Sequence, residues 1–217
     1  MKLATWNLRG ISDKFKQKAL VEDLTQYDLD IVATQETHIK GTSKVELDRN
    51  YTLYHTGPST HSYHGVGIIV KNKYKGAFKV VSDRICQLTI ELDSKDKLTV
   101  VSAYAPTLTK SEKNPHLADQ FYSELQNSLN LIPNRNFVLI GIDSNAKLGT
   151  GGHNLFPENV GQFGKGNLNS NGERLGQFLA KNSLIATNTF FDHKIKHRVT
   201  WTHPNQFPNF IDKKSGQ

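Results

Sequence analysis

Cysteine and methionine are almost missing from this chain of 217 residues, which has one of each. A lone Cys86 excludes an intrachain disulfide, and with it the disulfide-stapled secreted scaffolds. The CxxC pairs of zinc ribbons and thioredoxin-like sites are missing too, so a reducing compartment is the natural setting. Long hydrophobic runs are also lacking. No segment approaches the ~18 apolar residues of a membrane span, and the opening MKLATWNLRG turns polar after Trp6, so neither a signal peptide nor a membrane anchor is expected. No repeat of about 20 to 50 residues recurs, and no Pro/Gly/Ser linker divides the chain, so a single domain over residues 1–217 is expected.

What is present describes a folded globule. Hydrophobic residues at 36%, charged at 22% and aromatic at 9% exclude disorder, collagen and low complexity. Lys and Arg exceed Asp and Glu by 27 to 20, a formal +7. Residues 181–217 carry +4 of this, from Lys181, Lys194, Lys196, Arg198, Lys213 and Lys214 against Asp192 and Asp212. The excess suits a polyanionic partner; lysines that merely keep a basic protein in solution are the plain alternative.

Short apolar runs predict strands at Leu3 to Trp6, Asp30 to Thr34, Gly65 to Val70, Leu98 to Ala103 and Phe137 to Ile142. Several are too continuously apolar for a sheet with one wet face, so they need covering layers. Helical spacing supplies these at Phe15, Leu20, Val21 and Leu24, at Phe121, Leu125, Leu129 and Ile132, and at Leu175, Phe178 and Leu179. The last is preceded by Ser170 and Glu173 at capping-box distance. Residues 71–97 read as strands joined by turns, punctuated by Gly76 and by Asp93-Ser94-Lys95-Asp96, so the order is not a strict alternation of strand and helix. An α/β sandwich of two packed mixed sheets flanked by helices, four layers in all, fits better than a doubly wound sheet. Nine of the 16 glycines fall between Gly141 and Gly176, which reads as one long functional loop. Thr200 to His203 reads as a further short strand.

Four of the apolar runs end in polar side chains: Asn7, Glu36, Tyr104, and Asp143 followed by Asn145. Strand ends gather on one rim of an open α/β sheet, where ligand sites form. Each residue has an ordinary reading. Asn7 could cap the turn at Arg9-Gly10, Glu36 could pair with a lysine, Tyr104 could be a core-edge tyrosine, and Asp143 and Asn145 could be turn formers. Together they form a chemical set. Glu36 with Asn7 offers hard oxygen ligands for Mg²⁺ or Mn²⁺. Asp143 can orient and deprotonate water, Asn145 can donate to charge on phosphorus, and Tyr104 can donate its phenol hydrogen to a phosphate oxygen. None is a covalent nucleophile of the Ser/His/Asp or Cys/His kind, so metal-assisted phosphodiester hydrolysis is the natural reading.

In their order T-W-N, Q-E-T, Y-A-P-T and D-x-N-A, these motifs resemble the endonuclease/exonuclease/phosphatase superfamily over nearly the whole chain. HGVGIIV, D-S-N-A-K-L-G, G-x-F-G-x-G-N-x-N-x-N-G-E-R-L, N-T-F-F and T-W-T-x-P-N are similar in order and spacing to RTE-type non-LTR retrotransposon endonucleases and craniofacial development protein 2-like proteins. The resemblance implies a Mg²⁺-dependent DNA endonuclease on a four-layer sandwich. It assigns Glu36 to the metal with Asn7 in the outer sphere, Tyr104 to the scissile phosphate, Asp143 to water activation and Asn145 to its orientation. It further implies DNA as partner, a reverse transcriptase domain in a longer polyprotein, a monomer, and a nuclear or cytoplasmic location with the nucleus favoured.

Two departures qualify the match. Abasic-site repair nucleases of the superfamily usually carry an asparagine two residues after the alanine of the A-P step; here that position is Thr107, which points towards the retroelement type. Asp212 matches a family site residue in an I-D strand, but the chain then reads Lys213 and stops at Gln217 without the family's S-D-H, so a missing C-terminal strand and impaired activity are expected. Thr107, Lys194, Lys196, Arg198 and Trp201 are candidate nucleic-acid contacts, Trp201 reading more readily as a core or rim aromatic. His55, His61 and His64 lie in a polar stretch without metal-ligand spacing, so exposure and no zinc are expected. The segment GKGN at 164–167 lacks the features of a P-loop and reads as a loop. Two other functions stay open: a phosphatase or sphingomyelinase-like hydrolase of the same superfamily, and a non-catalytic remnant that binds nucleic acid.

Overall fold

A computed structural model describes residues 1–92 and 95–194. They form two compact units divided after Ala146.

The first unit is a sandwich. Strands β1 (Leu3–Asn7), β2 (Ile31–Gln35), β3 (Thr42–Glu46), β4 (Tyr51–Thr56) and β5 (Val66–Lys71) build one sheet in the order β1-β2-β5-β4-β3. Strands β6 (Gly76–Ser82), β7 (Ile85–Glu91), β8 (Lys97–Tyr104) and β9 (Phe137–Asp143) build the second in the order β6-β7-β8-β9. Both sheets are mixed. β1 runs parallel to β2, with Asn7 beside Gln35, and β8 runs parallel to β9, with Tyr104 beside Asp143. The other pairings are antiparallel.

Alternate residues of the continuous apolar runs face the two sides of their sheet. Ile31, Ala33, Val66, Ile68 and Val70 of the first sheet pack on Cys86, Leu88, Leu98 and Val100 of the second. On the outer face of the first sheet, Val32, Tyr51, Leu53 and Ile69 pack on Leu20 and Leu24 of helix α1 (Lys14–Gln26). Asp13 caps this helix by accepting the Phe15 N–H at 2.6 Å. The helix is there as expected, but Phe15 at its first turn is 86% exposed, so the covering stripe is shorter than its spacing implies. A short helix α2 (Leu108–Lys113) leads into α3 (Pro115–Asn130), whose Ala118, Phe121, Leu125 and Ser128 are buried. Gln87 of β7 donates to the Ser128 carbonyl at 3.2 Å, tying α3 to the second sheet. The four layers are thus helix, sheet, sheet, helix.

The second unit contains helix α4 (Gly149–Leu155), helix α5 (Ser170–Lys181) and a 3-10 turn at Thr187–Thr189. The glycine-rich stretch is therefore not one long loop, because α4 interrupts it. The cap of α5 also sits one residue earlier than the capping box suggests. Asn169 is the N-cap, accepting the Gly172 N–H at 2.8 Å and the Lys147 N–H at 3.1 Å, while Ser170 is already helical. One asparagine oxygen thus caps the helix and holds the Lys147 N–H at the same time. GKGN is a loop, as read. The strand expected at Thr200 to His203 lies outside the described residues.

Two strands escaped the sequence reading. β3 has a single partly buried residue, and β4 (YTLYHT) lacks a continuous apolar run, though its Tyr and Thr content favours strand. The consequence falls on the histidines. His55 is on β4 and fully buried, with Nε2 2.8 Å from the Ser43 hydroxyl, which corrects its expected exposure. Burial pushes its pKa down, so it sits neutral in the sheet. His64 is half-buried, and His61 is exposed as expected.

Candidate active site

Parallel pairing brings the ends of β1, β2, β8 and β9 to one rim, because parallel neighbours in register must end together. There the side chains named from strand ends meet. Asn7 Nδ2 donates to Glu36 Oε1 and to Asp143 Oδ2, both at 2.8 Å. Tyr104 donates its phenol hydrogen to the same Glu36 oxygen at 3.0 Å. The Asn7–Asp143 and Tyr104–Glu36 bonds link the two sheets across the mouth of the sandwich, and the Asn7–Glu36 bond ties β1 to β2 within one sheet.

The ordinary readings also hold in part. Asn7 Oδ1 accepts the Arg9 N–H at 3.2 Å, and Asp143 Oδ1 accepts the Asn145 N–H at 3.1 Å, so both residues also shape turns. Asn145 Nδ2 donates to the Ala105 carbonyl at 2.9 Å, which locks the D-S-N turn to the Y-A-P segment. Thr107 begins α2.

The rim is conformationally strained. Arg9, Glu36, His38, His64 and Asn145 all have φ between 46° and 68°, the left-handed region that side chains other than glycine seldom occupy. Such residues persist only where surrounding bonds over-determine them, and functional sites are where they cluster. Here the bonds are backbone ones: Gly10 N–H to Glu36 carbonyl at 2.7 Å, and His38 N–H to His64 carbonyl at 3.0 Å.

Beneath the rim a buried polar network crosses between the sheets. Gln35, 1% exposed, donates from Nε2 to the Gly141 carbonyl at 3.0 Å and to Ser102 Oγ at 3.3 Å. Thr5 Oγ1 donates to Gln35 Oε1 at 3.2 Å, and Ser102 Oγ donates to the Thr34 carbonyl at 2.8 Å. Gly141 is there because the sheets approach too closely at that point for a side chain; a Cβ on it would stand 2.3 Å from that of Ala33.

Sequence reasoning missed three residues around Tyr104 and Glu36. Arg84 lies with its guanidinium 5.4 Å from the Tyr104 ring and donates to the Tyr104 carbonyl at 3.1 Å. His64 stands 5.6 Å from the same ring on its other contact, and His38 Nε2 lies 3.6 Å from Glu36 Oε2. An arginine in a hairpin turn and histidines in a polar loop carry no spacing signal that marks them. Burial foremost, then the Glu36 and Asp143 carboxylates, push the Tyr104 phenol up to about 12. It stays protonated at neutral pH and acts as a donor.

Two carboxylates bridged by one neutral amide form an oxygen-rich, electron-rich pair. Of the two, Glu36 also has the His38 ring beside it, Nε2 lying 3.6 Å from Oε2. This hard donor set fits a divalent cation such as Mg²⁺, which needs one or two carboxylates and keeps its waters. No group of three or more His, Cys, Asp and Glu that could hold a metal ion of any kind is present among the described residues, so an ion here would rest on few protein ligands. Of the other candidates, Lys194 is exposed in the second unit. Lys196, Arg198, Trp201 and Asp212 lie outside the described residues.

The profile of the endonuclease/exonuclease/phosphatase family matches residues 4–212. The chain belongs to this family. Craniofacial development protein 2 of Bos taurus is 30% identical over 207 residues, 94% of this chain and 33% of that protein, so the chain spans about a third of that relative. The fold is similar to the endonuclease domain of TRAS1, a telomere-specific non-LTR retrotransposon, with a TM-score of 0.56 at 14% identity over 82% of this chain and 69% of that one. It is also similar to an AP endonuclease from Archaeoglobus fulgidus, with a TM-score of 0.58 at 19% identity over 84% and 70%. Members of the family are typically metal-dependent hydrolases, and its nucleases generally use divalent metals, commonly Mg²⁺. No helix among the described residues is long and apolar enough to cross a membrane.

Proposed function

We propose that the chain is a divalent-metal-dependent phosphodiester hydrolase that nicks DNA, of the kind found in retrotransposons. The observation that carries this is the Asn7 bridge: one amide holds the Glu36 and Asp143 carboxylates at 2.8 Å each, with the Tyr104 hydroxyl on Glu36. Glu36, with Asn7 in the outer sphere, would hold the ion, whose positive charge would offset the negative charge building on the phosphate oxygens.

The chain's own groups do the rest. Asp143, turned by the Asn145 N–H on its Oδ1, accepts a proton from water as the water oxygen forms its bond to phosphorus; the bond to the sugar oxygen breaks, and that oxygen leaves with the bonding pair and takes a proton from solvent. Tyr104, kept protonated, would turn its single phenol hydrogen from Glu36 to a non-bridging phosphate oxygen when substrate binds. Asn145, pinned to Ala105, fixes the direction from which the water attacks. The +7 charge favours a polyanion over a small or lipid phosphate, and Thr107 in place of asparagine favours retroelement-type cutting over abasic-site repair. In a longer polyprotein a reverse transcriptase domain would be the natural recipient of the nick.

Plasmid nicking tests the reading. Asp143→Asn removes the accepting charge but keeps the volume, and should lower Mg²⁺-dependent nicking of supercoiled DNA by about 10²-fold or more, the scale of lost general-base catalysis, with thermal stability near the parent's. Glu36→Gln should raise the Mg²⁺ concentration needed for half-maximal nicking. Equal nicking by Asp143→Asn and the parent would refute the role of Asp143, and hydrolysis of inositol or lipid phosphates in preference to DNA would move the chain to the phosphatase branch.

A further inference from the structure

Beside Glu36 and Tyr104 lies a cavity of about 450 Å³ whose outer wall has no part in the chemistry above: His61, Tyr63, His64 and Lys110 line it. Its surface is made of rings. His61 and Tyr63 lie 5.4 Å apart between centroids, His61 and His64 6.2 Å, and His64 and Tyr104 5.6 Å. They form a continuous row from solvent to the phenol that handles phosphate. Tyr63 is 69% exposed, so nothing in the packing accounts for its ring.

The row is held in place. His61 Nδ1 accepts the Tyr63 backbone N–H at 3.3 Å, and the His64 carbonyl accepts the His38 N–H at 3.0 Å, fastening this loop to the one that carries Glu36. Burial first, then Arg84 and Lys110 nearby, pull the His64 pKa down to about 4, leaving that ring neutral. The histidines do not make a second metal site, since no group of three or more ligating side chains exists among the described residues. Lys110 alone adds positive charge to the wall.

Aromatic π faces beside a phosphate-handling hydroxyl, with a lysine at the edge, match one ligand chemistry: a nucleobase attached to a phosphodiester. We propose that the loop joining β4 to β5 is a stacking platform for an unpaired nucleobase adjoining the scissile phosphate. Tyr63 and His61 take the face of the base, and Lys110 meets a flanking phosphate. The base must be unpaired, because within a duplex both of its faces are covered by neighbours. The preferred substrate is then DNA with a single-stranded or distorted junction. This deepens the nuclease reading and rests on it for the word scissile.

A single-stranded oligonucleotide carrying 2-aminopurine provides a test that needs no catalysis. Stacking on Tyr63 should quench its fluorescence on binding. Tyr63→Ala with His61→Ala should abolish the quench and weaken affinity about tenfold, within the range for loss of base stacking, whereas Tyr63→Phe should keep both. Lys110→Ala should reduce the slope of log affinity against log salt by about 0.7, one phosphate contact on a single strand. In nicking, the parent should prefer a phosphate beside an unpaired base to the same phosphate beside a base-less analogue. The double variant should lose that preference and cut the base-less substrate at the parent rate. Quenching and affinity unchanged in the double variant would overturn the platform. A chain that quenches through Tyr63 yet never nicks supports the platform and overturns the nuclease reading; one that nicks with an unchanged base preference in the double variant overturns the platform alone.

Discussion

Gly141→Ala tests how the sandwich sets the site, because it adds one methyl where the sheets leave no room for it. That methyl would lie 2.3 Å from the Ala33 Cβ and 3.1 Å from both Cβ and Oγ1 of Thr5. Ordinary carbon contact is about 3.5–4.0 Å, so β9 must retreat from β2 by roughly 1.2 Å or more. The Thr5 hydroxyl can rotate away, but the Cβ atoms of Ala33 and Thr5 are fixed by their backbones. Overpacking of this kind costs about 1–3 kcal/mol, and each kcal/mol lowers the melting temperature of a chain this size by about 2–4 °C. The expected fall is therefore roughly 5 °C. The site should suffer more than the fold. Gly141 precedes Asp143 by two residues on β9, and its carbonyl holds Gln35, the neighbour of Glu36, at 3.0 Å. A shift of about 1 Å takes the 2.8 Å bond from Asn7 to Asp143 beyond hydrogen-bond reach, and misplacement on that scale can lower rate about 10²-fold. Ala33→Gly removes the opposing methyl, so the double variant Ala33→Gly with Gly141→Ala should recover most of both losses. Calorimetry and nicking on the four proteins of this cycle give the answer. A single variant Gly141→Ala that melts within about 1 °C of the parent and nicks normally would refute the idea that the gap between the sheets positions the carboxylates.

Other expectations follow from named contacts. Asn7→Asp would set a third carboxylate against Glu36 and Asp143, so its melting temperature should rise on adding Mg²⁺ in place of EDTA by several degrees more than the parent's; an equal rise in both would mean the three groups do not repel. Asp30 is 6% exposed; burial alone would raise its pKa, but the Lys2 N–H, Lys71 and Lys73 outweigh this and hold it at about 2. Because its folded pKa lies below the unfolded value, its contribution of about 2 kcal/mol is full above about pH 4 and fades as pH falls towards 2. Asp30→Asn should thus be less stable than the parent at pH 7 by that amount and nearly equal to it near pH 2, as followed by denaturant unfolding; a gap that persists at pH 2 would show that the loss is steric. Cys86 is fully buried and its thiol pKa is raised by that burial, so a thiol reagent should leave the native protein unmodified and label it in denaturant; rapid native labelling would contradict the inter-sheet core.

The sequence by itself determined the strands with continuous apolar runs and the polar residues at their ends, because burial on two faces and a switch to polar chemistry at a strand end are both written locally. It thereby named Asn7, Glu36, Tyr104, Asp143 and Asn145 before any coordinates. It could not show that Asn7 spans both carboxylates, since residues 7, 36 and 143 meet only when β1–β2 and β8–β9 pair in parallel and the two sheets stack. Strands without an apolar run, such as β3 and β4, were invisible, and with them the burial of His55. The same holds for Arg84, His38 and His64. Each is an ordinary polar residue of a turn or loop, and only the approach of Tyr104 and Glu36 through the tertiary fold makes it part of the site. Periodicity reports which face of an element is buried; which elements face each other is a long-range property, and the distances that decide chemistry belong to that second kind.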